Sequence, residues 1–392
     1  MKPVLPLAAL LLAIVPAAAA QSASPTGGRD FQEDVYVTPY WTRMPVIESI
    51  GRANMQVAPN RASFSVTYLE TDKDAEDAMK PGAPRLHKNF EDNVANYTEF
   101  SLGDVEKGFK DADVIVEREY RTSTVHQGYI EPHSATAWWT ANDKITLWSS
   151  SQGHFPIRDQ TAEILGIPPS SIKAVPMEIG GGFGGKTRVY LEPVAVLLSH
   201  RSGRPVKLTM TRSEVLEATG PTCGSYMRVK MGASKDGKLT TAQAILKYEG
   251  GGFGGAPIAG GAVCMFTPYE IDNILIEAYD VADNKPKTAA YRAPGAPVAA
   301  FAAETLVDEI CEKISMDPLE FRIINGAKEG TRQANSTINP PIGCIETVEA
   351  AKAHEHYSTP LKGPYRGRGV ASGHWVNGAG PACATANVNY DG

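Results

Sequence analysis

Five glycines within six residues constrain this chain more than any other feature: Gly180, Gly181, Gly182, Gly184 and Gly185 surround Phe183. Such a run cannot sustain a helix or a central strand, because glycine gives up too much backbone freedom on ordering. It must form a loop whose bare N–H groups face a ligand or a closely packed stretch of chain. With Lys186 and Thr187 appended, the run satisfies two short phosphate-binding patterns: residues 180–187 fit GxxxxGK[ST], and Gly180, Gly182 and Gly185 fit GxGxxG. Neither context is complete. A P-loop wants a regularly alternating βα sheet and an acidic strand end for magnesium, for which residues 274–280 are a poor candidate. A dinucleotide fold wants an acidic strand end about 20 residues on, where this chain has Pro205. A tight turn between packed segments is the third reading.

The run has two companions. Residues 249–255 (EGGGFGG) nearly repeat it, and residues 290–297 (AYRAPGAP) add a small-residue loop with one cation, Arg292. Bare amides permit close approach, and an arginine grips an anion in two-pronged geometry. Three such loops suit a large, flat, anionic, hydrogen-bonding ligand, so they are expected to converge.

Around these loops the hydrophobic patterning changes period. Strand alternation marks residues 61–70, 114–120, 134–139, 143–149 and 172–178, and a hairpin joins 226–233 to 239–248 through Lys235-Asp236-Gly237. Helices are expected at 103–113, 156–165, 192–200 and 301–314, the last burying Phe301, Leu306, Ile310 and Ile314. Another starts at Asp317, with Pro318 at its first position. Trp138 and Trp139 read as core, His126 and His133 as strand packing rather than metal ligands, and His354 and His356 as surface residues. Strands and helices mix without regular alternation, which argues for an α+β fold. At 392 residues and 42% hydrophobic content the chain can bury a sizeable core, and a net charge of −6 argues against nucleic acid as a partner.

Lys2, the apolar run 4–20 and Ala18-Ala19-Ala20 read as a signal peptide over residues 1–20, implying export to the periplasm. An uncleaved or misassigned start would instead leave the chain cytoplasmic. No later stretch approaches membrane-spanning length. Residues 21–60 are expected to be irregular, and residues 388–392 look like a strand entering a turn, as though more chain should follow. The five cysteines, 223, 264, 311, 344 and 383, are too widely spaced for an iron–sulfur cluster or a zinc knuckle. Any electrons must therefore leave to another polypeptide.

Further motifs join the glycine loops. Gln152 follows Trp148-Ser149-Ser150-Ser151 and precedes Phe183 by 31 positions, Glu131-Pro132-His133 lies within 126–139, and residues 317–325 read DPLEFRIIN. On these the chain, over roughly residues 81–392, resembles the molybdopterin-binding large subunit of the xanthine dehydrogenase/aldehyde oxidase family of molybdenum hydroxylases. The resemblance implies a hammerhead-like remnant over 21–112, a first molybdopterin-binding domain over 113–358 and the start of a second over 359–392. It places Gln152 beside the molybdenum oxo group, and assigns Gly181, Gly182, Phe183, Gly184, Gly185, Arg292 and Ala293 to the molybdopterin cofactor. The pterin supplies the metal's sulfur ligands, so no protein residue is expected to bind molybdenum directly.

The implied reaction is hydroxylation of an aldehyde or aromatic heterocycle with oxygen from water, with electrons leaving through iron–sulfur and flavin subunits. The family's general base lies in a late Gly-Glu motif, and no Gly-Glu dipeptide occurs in this chain. The chain alone is therefore expected to lack turnover. Thr187 stands where purine-oxidising relatives carry a glutamate, Pro294 replaces their stacking phenylalanine, and no arginine occurs between Arg228 and Arg292. Purines are disfavoured on these positions, and Ala293, where copper-bearing relatives carry a cysteine, disfavours carbon-monoxide chemistry. A P-loop nucleotide site at residues 180–187 and a non-catalytic remnant of the family are the alternative readings.

Overall fold

The computed structural model describes residues 74–376 and the backbone of two further strands, 46–53 and 62–69. The signal-like segment and the strand expected at 388–392 lie outside the described residues. In chain order the elements are β1 (Val46–Ala53), β2 (Ala62–Leu69), α1 (Ala75–Ala78), β3 (Val94–Leu102), α2 (Val105–Lys110), β4 (Val114–Thr122), β5 (Ser134–Trp139) and β6 (Ile145–Ser149). Then come α3 (His154–Leu165), β7 (Ile172–Pro176), α4 (Glu192–Ser202), β8 (Val206–Thr209), α5 (Arg212–Ala218), β9 (Ser225–Ala233), β10 (Leu239–Gly251) and α6 (Ile258–Met265). β11 (Ile274–Ala282), α7 (Ala296–Ile314), α8 (Pro318–Asn325) and α9 (Cys344–Ala353) complete the main elements. The fold is α+β, as expected. No helix of the described residues is long and apolar enough to cross a membrane.

β1 and β2 pair antiparallel, so part of the region expected to be irregular is a strand. The larger sheet runs β3-β11-β10-β9-β4 and the smaller runs β7-β6-β5-β8. β3 precedes residue 113, yet it forms one edge of the larger sheet while β4 forms the other. Each sheet contains one parallel pair, β10 with β11 and β6 with β7, among antiparallel neighbours.

Alternation in the larger sheet buries Met227, Val229 and Met231 of β9, Ala244 and Leu246 of β10, and Ile276 and Ala278 of β11. Against them α7 sets Ala299, Ala302, Ala303, Leu306, Val307 and Ile310, which recur at the three- and four-residue steps of one helical face. That stripe corrects the expectation for Phe301. Its side chain is half exposed and meets Tyr120 edge-on at 5.3 Å between ring centroids. The smaller sheet builds a second core from Ala137, Leu147, Ile157 and Val196. Trp139 packs against this core, whereas Trp138 points outward, half exposed, because successive strand residues face opposite ways.

The two parallel pairs position the loops. Ser149 of β6 lies opposite Pro176 of β7, so Gln152 and Gly180, a few residues beyond each, leave the same sheet end. Gly251 of β10 lies opposite Ala282 of β11, so the second glycine loop and the segment leading to Arg292 likewise share an origin.

Candidate functional site

Gln152 and the first glycine loop meet directly. The Gln152 side-chain Oε1 accepts from the Gly184 N–H at 2.7 Å and the Lys186 N–H at 3.2 Å, and the Gln152 N–H donates to the Lys186 carbonyl at 3.0 Å. Two backbone donors fix which end of the carboxamide faces the loop. The Nε2 amino group is left with donors uncommitted to any described residue, on an exposed side chain. Gly182 is needed for this fit: a Cβ there would lie 2.5 Å from Gln152 Oε1.

The first and third loops also touch. The Arg292 N–H donates to the Phe183 carbonyl at 2.9 Å. Gly184, at φ +106°, lies so close to Ala290 that a Cβ would stand 2.5 Å from the Ala290 carbonyl oxygen. Phe183 and Ala293 hold left-handed backbone at φ +52° and +57°, a conformation that costs non-glycine residues about 1 kcal/mol or more. Phe183 is half exposed, and the Arg292 side chain is exposed with no ion pair among the described residues. Gly181, Gly182, Phe183, Gly184, Gly185, Arg292 and Ala293 thus occupy one small region with Gln152.

The second glycine loop packs against the stem of the third, just before the Ala290 that meets Gly184, and its Gly252 carbonyl lies 2.7 Å from His87 Nε2. Gly252 N–H donates to the Lys285 carbonyl at 2.8 Å, Thr288 N–H donates to the Gly250 carbonyl at 3.2 Å, and the Gly251 N–H donates to Asp283 Oδ1 at 2.8 Å. Asp280, in the strand weighed above as a magnesium-binding end, instead accepts from the Gly255 and Ala256 N–H groups. The loop buttresses the segment carrying Arg292. Asp283 is buried beside Glu249, and burial followed by that neighbouring carboxylate pushes its carboxyl from 3.8 up to about 7.

Beneath the first loop lies a polar floor. Tyr129 blocks any Cβ on Gly185 at 2.7 Å, and its hydroxyl is 2.6 Å from His133 Nε2. His126 Nδ1 accepts from the Gly128 N–H at 3.0 Å, so its Nε2 donates to Thr219 Oγ1 at 2.8 Å. Neither histidine lies in a strand, contrary to expectation, and among the described residues no group of three or more acidic, histidine or cysteine side chains could hold a metal. Burial, then the charge of Lys186, pushes His133 down to about 3, keeping it neutral.

Lys186 is turned into this floor. Its side chain is fully buried and its Nζ lies 2.7 Å from Glu131 Oε2. A P-loop lysine must reach outward to phosphate, and its loop must open a helix. Here the next helix, α4, starts only at Glu192. The loop geometry therefore does not support the nucleotide reading. Sequence reasoning singled out neither the role of Lys186 nor that of Tyr129; the signal was available in Glu131, which stood in a quoted motif without an assigned partner.

A family model described as the molybdopterin cofactor-binding domain matches residues 86–326. The nicotinate dehydrogenase large molybdopterin subunit of Eubacterium barkeri is 29% identical over 302 residues, 76% of this chain and 71% of that protein. The aldehyde oxidoreductase molybdenum-binding subunit PaoC of Escherichia coli (strain K12) is 30% identical over 294 residues, 73% of this chain and 38% of that protein. Among solved structures, aldehyde oxidoreductase from Desulfovibrio gigas superposes with a TM-score of 0.69 at 27% identity, covering 74% of this chain and 32% of that one. The chain thus spans most of the first relative's length and about a third of the other two.

Proposed function

The chain belongs to the molybdopterin cofactor-binding domain family, and from that premise we propose that it holds the cofactor of a molybdenum hydroxylase of the xanthine dehydrogenase/aldehyde oxidase type. The observation that carries the reading is the Gln152 carboxamide, its oxygen held by two loop amides and its amino group left as an outward donor. The site fits the cofactor: a glycine cradle that any Cβ would fill and, among the described residues, an uncommitted amide donor and an exposed arginine without an ion pair. Bound there, molybdopterin supplies the redox centre for carbon hydroxylation with oxygen from water.

Each residue then has a task. Gln152 donates from Nε2 to an acceptor on the cofactor. The peptides of Phe183 and Gly184 let the cofactor lie against bare backbone. Arg292 offers two parallel N–H donors to its phosphate. Phe183, half exposed, would offer a flat apolar wall to a cofactor held there. Thr187 spends its hydroxyl on the Gly184 carbonyl at 2.9 Å and presents no carboxylate to a purine. On these positions we take the substrate class to be an aldehyde or an aromatic heterocycle. By analogy with the family, electrons would pass to separate iron–sulfur and flavin subunits.

Neither Glu192 nor Glu131, the two carboxylates packed against the loop, is free to serve as the proton acceptor. Glu192 is buried, accepting from Ser149 Oγ at 2.6 Å and the Tyr190 N–H at 2.8 Å, and Glu131 is committed to Lys186. A positioned base contributes about 10²–10⁴-fold, so the base comes from a polypeptide carrying the family's Gly-Glu motif. The test is anaerobic dye reduction by a panel of aldehydes and N-heterocycles. The chain supplied with molybdopterin and such a polypeptide should turn over, and the chain with molybdopterin alone should not. Steady turnover by the chain alone would refute the assignment of the base, and inactivity of the combination on every substrate would refute the proposed function.

A further inference from the structure

Lys186 joins three parts of the site at one residue. Its N–H and carbonyl grip Gln152 at the side chain and the main chain, at 3.2 and 3.0 Å. Its ammonium is fully buried, 2.7 Å from Glu131 Oε2 and 5.0 Å from the centre of the Tyr129 ring. Glu131 carries the connection to the other end of the loop. The same Oε2 accepts the Gly180 N–H at 2.8 Å, and the Glu131 N–H donates to the Gly180 carbonyl at 3.1 Å. Gly180 must lack a side chain, since a Cβ would meet Glu131 Cβ at 2.6 Å. Arg212 steadies the segment by donating to the carbonyls of Tyr129 and Ile130.

We infer that Glu131 and Lys186 are a positioning pair that clasps both ends of the glycine loop and thereby sets the direction of the Gln152 amide. A lysine ammonium tolerates full burial only when paired. Without Glu131, the cheapest relief is for Lys186 to swing toward water. Its backbone must move with it, and the two hydrogen bonds that orient Gln152 go too. The clasp is a property of the chain alone; its consequence for the cofactor rests on the proposed function.

Hydrogen–deuterium exchange of the full chain without cofactor tests the clasp. Losing a charge-assisted buried hydrogen bond should speed exchange at the Gly184 and Lys186 amides about tenfold or more in Glu131→Gln. Exchange in β9 and β10 should stay unchanged. The double variant Glu131→Gln/Lys186→Met leaves no unpaired ammonium, so its loop should exchange more slowly than that of Glu131→Gln. Mere packing at residue 131 would give no such recovery. Parent-like exchange in Glu131→Gln, a rise spread evenly over the chain, or a double variant worse than the single would overturn the inference. If Glu131→Gln does not fold, folding of the double variant supports the clasp and its failure overturns it.

Equilibrium binding of molybdopterin separates the two claims. Parent binding weakened about tenfold in Glu131→Gln supports the extension to the cofactor, and parent-like binding in that variant overturns it. A parent that binds none, with exchange as expected, refutes the proposed function and leaves the clasp standing.

Discussion

Gly184→Ala strikes the contact between the first and third loops. The added Cβ would lie 2.5 Å from the Ala290 carbonyl oxygen, 2.7 Å from its carbon and 2.9 Å from its Cβ. Reaching even 3.0 Å from the oxygen demands a retreat of 0.5 Å against backbone, which has no rotamer to yield. The residue also sits at φ +106°, a conformation costing a non-glycine residue about 1–3 kcal/mol. Overpacking adds about 1–3 kcal/mol, for a total near 2–6 kcal/mol, a large share of the ~5–15 kcal/mol that holds a domain together. Ala290 lies two residues before Arg292, so its retreat also lengthens the bond from the Arg292 N–H to Phe183. The control is Gly166→Ala, at the left-handed cap of α3, where φ is +65° and nothing stands within 4 Å of an added Cβ. That change should cost only about 1 kcal/mol. Urea titrations of both variants at one pH compare them, read as midpoint shifts at constant slope. Gly184→Ala costing no more than Gly166→Ala would refute the close apposition of the two loops.

Two pH effects of opposite sign follow from buried groups. The Asp283 carboxyl titrates near 7 in the fold against its usual 3.8, so the folded state holds an extra proton and this group's contribution falls as pH rises from about 4 to 7. Asp283→Asn should therefore gain stability relative to the parent across that window, by at most about 1.4 kcal/mol per pH unit, and level off above it in pH-resolved denaturation. His133, pushed from 6.5 down to about 3, does the reverse. Its contribution is complete above 6.5 and is lost as pH falls toward 3, so His133→Gln should flatten the acid limb of the same curves. Glu304 pairs with Arg322 in the interior at 2.7 Å. Glu304→Ala should cost about 3–5 kcal/mol, leaving the buried guanidinium to the more exposed Asp308 and taking the acceptor from the buried Tyr269 hydroxyl. Glu309→Ala, breaking a more exposed pair with Arg118, should cost under about 1 kcal/mol by thermal unfolding.

Much of the site was legible because its chemistry is local. Five glycines around Phe183 announce a backbone-built loop, and the cap and proline at Asp317-Pro318 are seen where expected, with Asp317 accepting from Leu319 and Glu320. The partners of these segments were harder to read. That β6 and β7 run parallel, bringing Gln152 to the glycine loop, depends on pairings that leave no trace in either strand alone. The second glycine loop has nearly the composition of the first, yet it serves as a buttress because Asp280 and Asp283 take its amides. Lys186 sits in a phosphate-binding pattern, and its direction is set by Glu131, fifty-five positions away. Phe301 and Trp138 were misread for a simpler reason. Periodicity alone placed Phe301 with Leu306 and Ile310, and bulk placed Trp138 inside, whereas the alanine stripe of α7 and the pleat of β5 put other residues there.

The central claim is that the first and third loops together hold molybdopterin, and binding of that cofactor to the full chain tests it most directly. Anaerobic titration followed by protein fluorescence, with bound pterin and molybdenum counted after gel filtration, should give one cofactor per chain. Arg292→Ala, which removes an exposed cation without disturbing the core, should weaken binding about tenfold or more through loss of a charge-assisted contact. A chain that takes up no molybdopterin, or one whose binding is the same in Arg292→Ala and Gly184→Ala as in the parent, would contradict the account.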